Sequence, residues 1–339
     1  MQQRLTELWY REPARPSLLQ PLGSLYGALV ALRRRAYGSG WPHTESAGRP
    51  LVVVGNLTVG GTGKTTLTLH LARRAAELGI AAAVVCRRYH PGPRGEADEE
   101  RMYRDAIGPE RVYAGRVKRD LAAAAAGAGA QLILVDDGFS HWALERDLDV
   151  VLLEAADPWG GGRLLPAGRL REPRRALQRA GIVIVTRIPA DAADAPDLAE
   201  IRRVAPAALI ATARHEVRGF RSIGGAPCAR PARVRIVSAT GHPDAVERSA
   251  REAGCEVAGR GDYRDHHWFT PAEARREHGL ARGGTLLLSA KDAVRWPEGA
   301  PRDGVAVLET RWEWVRHGED AERLVWDRDE SKAPGEAHT

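Results

Sequence analysis

The sequence predicts an α/β fold, in which a doubly wound, mostly parallel sheet is followed by a second, smaller α/β unit. Two observations lead to this prediction. Short apolar runs alternate with helical patterns along most of the 339 residues, and one early run enters a glycine-rich turn that opens a helix. A strand followed by a helix and another strand favours parallel pairing, because the helix carries the chain back across the sheet.

The predicted strands are short and apolar, and polar or glycine-containing turns separate them. In the first part of the chain they cover 51–54, 81–86, 111–114, 131–135, 149–155, 182–186 and 207–213. After a loop at 219–231, a second series covers 234–240, 285–289 and 305–309. Helices are predicted at 64–78, 118–126 and 243–253, and a loop rich in Gly, Pro and Arg at 156–174.

The segment from Leu51 to Thr66, LVVVGNLTVGGTGKTT, has the pattern of a nucleotide phosphate-binding loop, or P-loop, although Thr58 replaces its first glycine. The glycines let several backbone N–H groups converge on an anion, and a helix N-terminus follows. Lys64 would reach the β- and γ-phosphates, and the Thr65 hydroxyl would bind Mg²⁺. We therefore expect a P-loop NTPase-like sheet that binds nucleotide through Gly60, Gly61, Thr62, Gly63, Lys64, Thr65 and Thr66.

Lysine is rare in this chain, so the position of each lysine is informative. Only four of the 50 Lys and Arg residues are lysines: Lys64, Lys118, Lys291 and Lys332. A P-loop needs a compact ammonium group rather than a planar guanidinium, and Lys64 fits that need. Lys118 and Lys291 are either required locally in the same way or accidental survivors of a bias toward arginine.

Asp136 and Asp137 end an apolar strand downstream of the P-loop. A carboxylate at such a strand end holds Mg²⁺ in nucleotide-binding sheets, although two Asp residues before Gly138 also suit a simple turn. Guanine recognition usually requires Asn/Thr-Lys-x-Asp at a strand end. Neither the segment after Thr186 nor residues 289–292 fits that pattern, so we expect ATP rather than GTP.

Composition and spacing exclude several other functions. The net charge of +6 suits an anionic substrate or an anionic membrane surface, and no aromatic-plus-basic pattern predicts nucleic acid binding. The three cysteines are far apart and predict neither disulfides nor a metal site. His266 and His267 have no further ligand at a suitable spacing, so zinc is not expected.

The N-terminal segment combines an apolar helical face with a cluster of arginines. Such a helix can lie on an anionic bilayer, or it can pack on the protein core with a solvated basic end. Its apolar residues and the arginines that follow are Leu18, Leu22, Leu25, Tyr26, Leu29, Leu32, Arg33, Arg34 and Arg35.

Several segments together resemble the tetraacyldisaccharide 4′-kinases, the lipid A 4′-kinase family of Gram-negative bacteria. In the order of the family, they are PLGSLYGALVALRRRAY (21–37), VVVGNLTVGGTGKT (52–65), VDDGFSHWALERDLDVVLLEA (135–155), GGGRLLPAGRLREP (160–173), SATG (238–241), RDHHWF (264–269) and AKDAV (290–294). The resemblance implies Mg²⁺-dependent transfer of the ATP γ-phosphate to the 4′-hydroxyl of a glycolipid, tetraacyldisaccharide 1-phosphate. It also implies a peripheral enzyme on the cytoplasmic face of the inner membrane.

The resemblance also implies residue roles. Asp98 aligns with the Asp taken as the base for the acceptor hydroxyl, His266 with the His thought to pair with it, and Lys64 with the catalytic P-loop lysine. Four further residues are candidate substrate contacts: His141, Arg163, Arg169 and Arg171. A purely structural role for the loop that carries the three arginines is the alternative.

These assignments divide the chain into four regions. They are an N-terminal membrane-associating helical segment at 1–48, a P-loop domain at 49–215, a smaller C-terminal α/β domain at 216–326, and a tail at 327–339 that we expect to be disordered. The sequence makes no prediction of oligomeric state.

Several substrate-side motifs depart from the family pattern. CRRYH (86–90) replaces Ser-Arg-Gly-Tyr-Gly, Ser140 replaces a Gln, and SAKD (289–292) replaces Thr-Glu-Lys-Asp. A kinase for a different glycolipid is therefore an alternative. Further alternatives are a P-loop switch ATPase or metallochaperone and an ATP-dependent ligase, although the switch proteins commonly carry a second Lys where this chain has Val59.

Overall fold

The computed structural model describes residues 19–188 and 198–327. The predicted disordered tail, apart from Asp327, lies outside the described residues, as do residues 1–18 of the N-terminal segment, including Leu18 of its apolar pattern. Within the described ranges, no helix is both long and apolar enough to cross a membrane.

The described chain alternates strands and helices along most of its length. The strands are β1 Leu51–Asn56, β2 Ala82–Arg87, β3 Val112–Gly115, β4 Leu132–Asp136, β5 Leu148–Glu154, β6 Ile182–Thr186, β7 Leu209–Ser222, β8 Pro227–Cys228, β9 Arg233–Ser238, β10 Glu256–Asp262, β11 Thr285–Ser289 and β12 Val305–Arg316. The α-helices are α1 Gln20–Gly38, α2 Lys64–Glu77, α3 Asp98–Ile107, α4 Lys118–Gly127, α5 Ala199–Val204, α6 Pro243–Glu252, α7 Pro271–Leu280, α8 Ala290–Val294 and α9 Gly318–Trp326.

The chain forms two compact units that are discontinuous in sequence. The first unit contains the described residues of 1–87, 106–214 and 314–339, and the second contains 88–105 and 215–313. The predicted boundary near residue 215 assigns 88–105 to the P-loop domain and 314–326 to the C-terminal domain, whereas the structure has 88–105 in the second unit and 314–326 in the first. These two segments pack against residues distant in sequence, which a reading along the chain cannot detect.

The sheet of the first unit is parallel, with the order β3-β2-β4-β1-β5-β6 followed by the start of β7. All six residues of β1 are buried, which explains its continuous apolar run. Strand order reverses at β1, because β4 and β5 lie on either side of it. In open α/β sheets, ligands bind outside the carboxyl ends of the strands at such a point.

The second unit has its own parallel set of strands, with the order β10-β9-β11-β12. The sequence did not predict β10, because its residues, EVAGRGD, are partly exposed and contain two glycines. The predicted loop at 219–231 is wrong for residues 219–222. Strand β7 continues to Ser222, and its last residues are mostly half-buried and partly polar. The α/β prediction with a smaller second unit is confirmed, and the carboxyl ends of β9, β10 and β11 lie at one edge.

One face of α1 packs on the loop that contains residues 160–173. A Cβ atom on Gly23 would lie 3.0 Å from the Cβ of Ala167, and one on Gly27 would lie 2.8 Å from a methyl carbon of Leu164. Small residues therefore let α1 approach this loop closely. The leucines of the other face, Leu22, Leu25, Leu29 and Leu32, are between 51% and 65% exposed.

Candidate active site

The predicted P-loop lies between β1 and α2 in the first unit. Gly60 and Gly63 have φ angles of 114° and 96°, in the region that favours glycine, and α2 begins at Lys64. Thr65 and Thr66 therefore lie in the first turn of the helix. The hydroxyl of Thr186, at the end of β6, donates to the carbonyl of Thr62 over 3.0 Å. This bond and the glycine turns fix the path of the loop.

A second anchor on the P-loop comes from the residue after β6. Arg187 has a left-handed φ of 60°, and its Nη2 donates to the carbonyl of Gly61 over 2.5 Å. Its other terminal nitrogen lies 3.2 Å from a carboxylate oxygen of Glu154. Arg187 therefore ties the loop to the end of β5.

The side chains of Lys64, Asn56, Asp137 and Arg171 form one cluster. Two nitrogens of Arg171 donate to the two carboxylate oxygens of Asp137, over 2.9 and 2.7 Å. Lys64 Nζ lies 3.6 Å from Asp137 Oδ1 and 3.2 Å from Asn56 Oδ1. Removal from water raises the pKa of Asp137, but the charges of Arg171 and Lys64 outweigh this and hold it well below its ordinary value. The carboxylate is therefore ionised at neutral pH.

The oxygen donors at this edge fit a magnesium ion. Parallel pairing of β1 with β4 sets Val54 opposite Asp136, so the P-loop and the two aspartates follow the same end of the sheet. Mg²⁺ is usually bound by one or two carboxylates together with phosphate and water oxygens. The part of the chain that the structure describes contains no cluster of three or more His, Cys, Asp or Glu residues suited to a metal.

Lys118, one of the four lysines, lies buried beneath these aspartates at the start of α4. Its Nζ donates to the backbone carbonyls of Asp136 and of Asp137, the latter over 2.8 Å. Asp137 has a left-handed φ of 49°, an uncommon conformation for a residue with a side chain. Burial lowers the pKa of Lys118, and the charges of Asp137 and Asp136 partly offset that effect. Lys118 thus fixes the turn that carries both aspartates.

In the second unit, Asp98 and His266 form a pair. Asp98 begins α3, and His266 follows β10 with a left-handed φ of 61°. His266 Nδ1 lies 3.2 and 3.1 Å from the two carboxylate oxygens of Asp98. The Asp98 side chain is 2% exposed and that of His266 is 18% exposed. The histidine is therefore the member of the pair that faces solvent.

Two cations complete the surroundings of Asp98. The fully buried Arg295 donates through Nε over 2.8 Å and through Nη2 to one carboxylate oxygen of Asp98. Lys291 Nζ lies 3.6 Å from the same oxygen and 2.9 Å from Glu99 Oε1. Burial raises the pKa of Asp98, but the hydrogen bond from His266 and the charges of Lys291 and Arg295 outweigh it and hold it well below its ordinary value.

Comparison with known proteins identifies the family. The family model described as tetraacyldisaccharide-1-P 4′-kinase matches residues 15–327. A tetraacyldisaccharide 4′-kinase of Anaeromyxobacter sp. (strain Fw109-5) is 37% identical over 325 residues, with 85% of this chain and 86% of the relative covered. The corresponding protein of Geobacter metallireducens (strain ATCC 53774 / DSM 7210 / GS-15) is 34% identical, with 86% and 93% covered.

The chain belongs to the tetraacyldisaccharide 4′-kinase family. A crystal structure of LpxK from Aquifex aeolicus in complex with ATP has the same fold, with a TM-score of 0.68 and 21% identity over 91% of this chain and 97% of that one. The predicted function is thereby confirmed: the chain is an ATP-dependent kinase of lipid A biosynthesis. Family membership favours this enzyme over the switch ATPase and the ligase.

The three arginines that the sequence singled out in this kinase have different surroundings. Arg171 lies in the cluster with Lys64 and Asp137. Arg169 is buried, and its Nη2 lies 2.5 Å from a carboxylate oxygen of Asp157. Arg163 is half-buried at the other end of the same loop. The structure therefore brings Arg171 into the phosphate-loop cluster.

His141 lies four residues after Asp137, in the turn that follows β4. The backbone N–H of His141 donates to the carbonyl of Gly138 over 2.8 Å, and the Arg146 side chain donates to the carbonyl of His141. Burial, together with the charges of Lys118 and Arg146, lowers the pKa of His141 to about 4. The imidazole is neutral at pH 7, so it can donate one hydrogen bond and accept another but contributes no charge to phosphate binding.

Sequence reasoning missed Arg295. The residue follows AKDAV directly and lies four positions after Lys291, so a short helix at that motif brings both cations to one side. The signal available in the sequence was the spacing of four residues between Lys291 and this arginine.

Proposed function

We propose that the two clusters carry out the two halves of the kinase reaction. The P-loop and its neighbouring cations bind ATP, and the Asp98–His266 pair takes the proton of the acceptor 4′-hydroxyl. The observation that carries this proposal is the carboxylate of Asp98, which is held ionised by His266, Lys291 and Arg295. A carboxylate that remains ionised at neutral pH has a free acceptor for the hydroxyl proton throughout the working range of the enzyme.

The first unit offers positive charge where phosphates would bind. Lys64 and Arg171 both contact the carboxylate of Asp137. When Mg²⁺ is bound, the ion would neutralise that carboxylate, so both cations can turn to phosphate oxygens. The ion would be held by Thr65, Asp136 and Asp137. When bound, Mg²⁺ neutralises the charge that develops on the transferred phosphoryl group. Gly60, Gly61, Thr62, Gly63 and Thr66 would contribute backbone or hydroxyl donors.

In the transfer step, the acceptor oxygen forms a bond to the γ-phosphorus as the bond from that phosphorus to the β–γ bridging oxygen breaks. The hydroxyl proton passes to the Asp98–His266 pair, and ADP leaves with the bridging oxygen. A carboxylate with a depressed pKa is a weak base, so this transfer occurs late, when the oxygen has bonded to phosphorus and become acidic. Loose phosphoryl-transfer transition states are compatible with late proton transfer.

The exposed leucine face of α1 supports a peripheral location on a membrane. Leu25 and Leu29 are each 58% exposed, and the basic residues Arg33, Arg34 and Arg35 follow on the same helix. Apolar side chains that enter the lipid interface and arginines that meet anionic headgroups act together. We place the kinase on the cytoplasmic face of the inner membrane, where a tetraacylated substrate is embedded.

Arg163, Arg171 and His141 remain candidates for contacts with the anionic substrate. Tyr26 of α1 donates its hydroxyl to the backbone carbonyl of Arg171 over 2.9 Å. This contact links the exposed apolar helix to the loop that carries these arginines, so a lipid held by the helix would lie near the loop. Arg169, paired with Asp157, supports the shape of that loop.

The test measures transfer of ³²P from γ-labelled ATP to tetraacyldisaccharide 1-phosphate in detergent micelles with Mg²⁺. We expect a product labelled at the 4′ position. Asp98→Asn should lower turnover at least 100-fold, to the order that removal of a general base costs, while ATP still binds. Wild-type turnover in Asp98→Asn would overturn the assignment of the base. Absence of any labelled disaccharide with wild-type protein that binds ATP would overturn the proposed transfer itself.

A further inference from the structure

Three aromatic side chains that the mechanism does not use form a chain of contacts in the second unit, and one of them, Tyr89, lies beside His266. The rings of Tyr89 and His266 meet edge to face, with centroids 5.7 Å apart and an interplanar angle of 82°. The ring of His90 lies 4.1 Å from that of Tyr89. The indole Nε1 of Trp268 donates to the carbonyl of His90 over 3.1 Å. We call Tyr89, His90 and Trp268 the aromatic platform.

The platform is solvent-accessible although it is apolar. Tyr89 is 40% exposed, His90 is exposed and Trp268 is half-buried. Apart from Trp41, Tyr89 is the most exposed large aromatic side chain in the part of the chain that the structure describes. Exposed aromatic groups beside a polar catalytic pair are typical of a ligand site, because they exclude water from a bound molecule without competing for its hydrogen bonds.

An ion pair holds the start of the loop that carries Tyr89 and His90. Arg88 donates through Nε and Nη2 to the two carboxylate oxygens of Glu100, over 2.8 and 2.7 Å. The carboxylate of Glu100 is fully buried, and Arg104 lies 3.0 Å from one of its oxygens. A two-pronged bond to a buried carboxylate fixes the backbone immediately before Tyr89.

The end of the same loop packs directly on Trp268. A Cβ atom at Gly92 would lie 2.4 Å from the indole ring, so only glycine allows this approach. The N–H of Gly92 donates to the carbonyl of Glu96 over 2.8 Å, and Pro91 and Pro93 restrict the backbone on both sides. The loop backbone and the indole ring are therefore held in place before a ligand arrives. Rigid aromatic side chains provide contact area at a small cost in conformational entropy.

We propose that the aromatic platform binds the apolar face of the glucosamine ring that carries the reacting 4′-hydroxyl. The inference rests on the proposed role of the Asp98–His266 pair, because a ligand on the platform lies next to His266. Aromatic rings have a negative face, and the C–H bonds on one face of a pyranose are weakly positive. The imidazole of His90 and the phenol hydroxyl of Tyr89 are polar edges that suit a hydroxyl-rich sugar better than an acyl chain.

The experiment separates sugar recognition from lipid recognition. The probe is the deacylated glucosamine disaccharide 1-phosphate, used as a competitive inhibitor of phosphate transfer to the acylated substrate. Tyr89→Leu and Trp268→Leu should each raise the inhibition constant of this probe about fivefold to tenfold, with the KM for ATP unchanged. Tyr89→Phe retains the ring and should raise it less than about threefold. Leu280→Ser, at an exposed apolar position of the same unit, is the control.

Several outcomes would overturn the proposal. They are a wild-type kinase that the probe does not inhibit, leucine variants with an unchanged inhibition constant, and variants that weaken only the acylated substrate, which would assign the platform to acyl chains. A change confined to kcat and its pH profile would mean that Tyr89 merely orients His266. Thermal unfolding of each variant checks that the fold is retained. Failure of wild-type protein to phosphorylate the acylated disaccharide would instead overturn the proposed function.

Discussion

Replacement of Arg295 by methionine tests how the buried carboxylate of Asp98 is stabilised. The Arg295 side chain is 0% exposed and donates twice to a carboxylate that is 2% exposed. Removing one partner of a buried, hydrogen-bonded ion pair costs about 3–5 kcal/mol. His266 and Lys291 still contact Asp98 in the variant, so we expect the free energy of unfolding to fall by about 3 kcal/mol, at the lower end of that range.

The assay is a double-mutant cycle in urea at pH 7, with Arg295→Met, Asp98→Asn and the double variant. The coupling energy between the two changes should be about 2 kcal/mol, because Asp98→Asn removes the buried charge that Arg295→Met leaves only partly compensated. Arg235→Met is the matched control, since Arg235 pairs with buried Glu277 in the same unit over 2.7 Å. Its effect should add to that of Asp98→Asn within about 0.5 kcal/mol. Additivity of Arg295→Met with Asp98→Asn would refute the reasoning.

The pH dependence of the same variant has a defined sign. The pKa of Asp98 is depressed in the folded chain, so its stabilising contribution is present above the unfolded pKa and is lost as the pH falls toward the folded pKa. Loss of Arg295 raises the folded pKa of Asp98. The stability deficit of Arg295→Met should therefore be constant between about pH 5 and 8 and shrink below about pH 4. A deficit that grows on acidification would contradict this account.

Three further predictions concern the first unit. Lys64→Ala should lower kcat/KM for ³²P transfer by about 100-fold or more, because a cation at the transferred phosphate is lost; full activity would exclude a P-loop. Lys118→Met should weaken Mg²⁺-dependent ATP binding about tenfold in calorimetry, because the turn loses the hydrogen bonds from Lys118 to the carbonyls of Asp136 and Asp137. An unchanged affinity would limit Lys118 to packing. Leu25→Ser with Leu29→Ser should weaken sedimentation with anionic vesicles at least about tenfold, whereas Leu78→Ser, also exposed, should not.

Much of the first unit follows from local sequence patterns. Its strands are buried on both faces, so they occur as continuous apolar runs, and the P-loop lies directly between a strand and a helix. The elements of the second unit are harder to predict from the sequence. Strand β10 is half-buried and lacks an apolar run. Helix α7 begins at a capping box of Thr270 and Glu273, and this local signal, T-P-A-E, is present in the sequence.

The candidate site divides in the same way. Lys64, Asp136 and Asp137 lie in short motifs at strand ends, so their proximity follows from parallel pairing of β1 and β4. Asp98 and His266 are 168 positions apart, and only a family resemblance associated them before the structure did. Arg295 has one local signal, its position four residues after Lys291, but nothing in the sequence shows that it is buried against Asp98. The pairing of Arg171 with Asp137 likewise depends on a long loop whose path the sequence does not specify.

The insertion of residues 88–105 into the second unit has a consequence for dissecting the gene. A fragment that ends near residue 215 would encode the complete P-loop, yet it would also carry Asp98 without His266 and Arg295, the residues of the second unit that contact it. A fragment that starts there would contain His266 and Arg295 but no carboxylate for them to bind. Neither fragment therefore contains all the residues of the second unit. Complementation between two separately expressed fragments would require that the segment between β2 and β3 remain able to join the second unit.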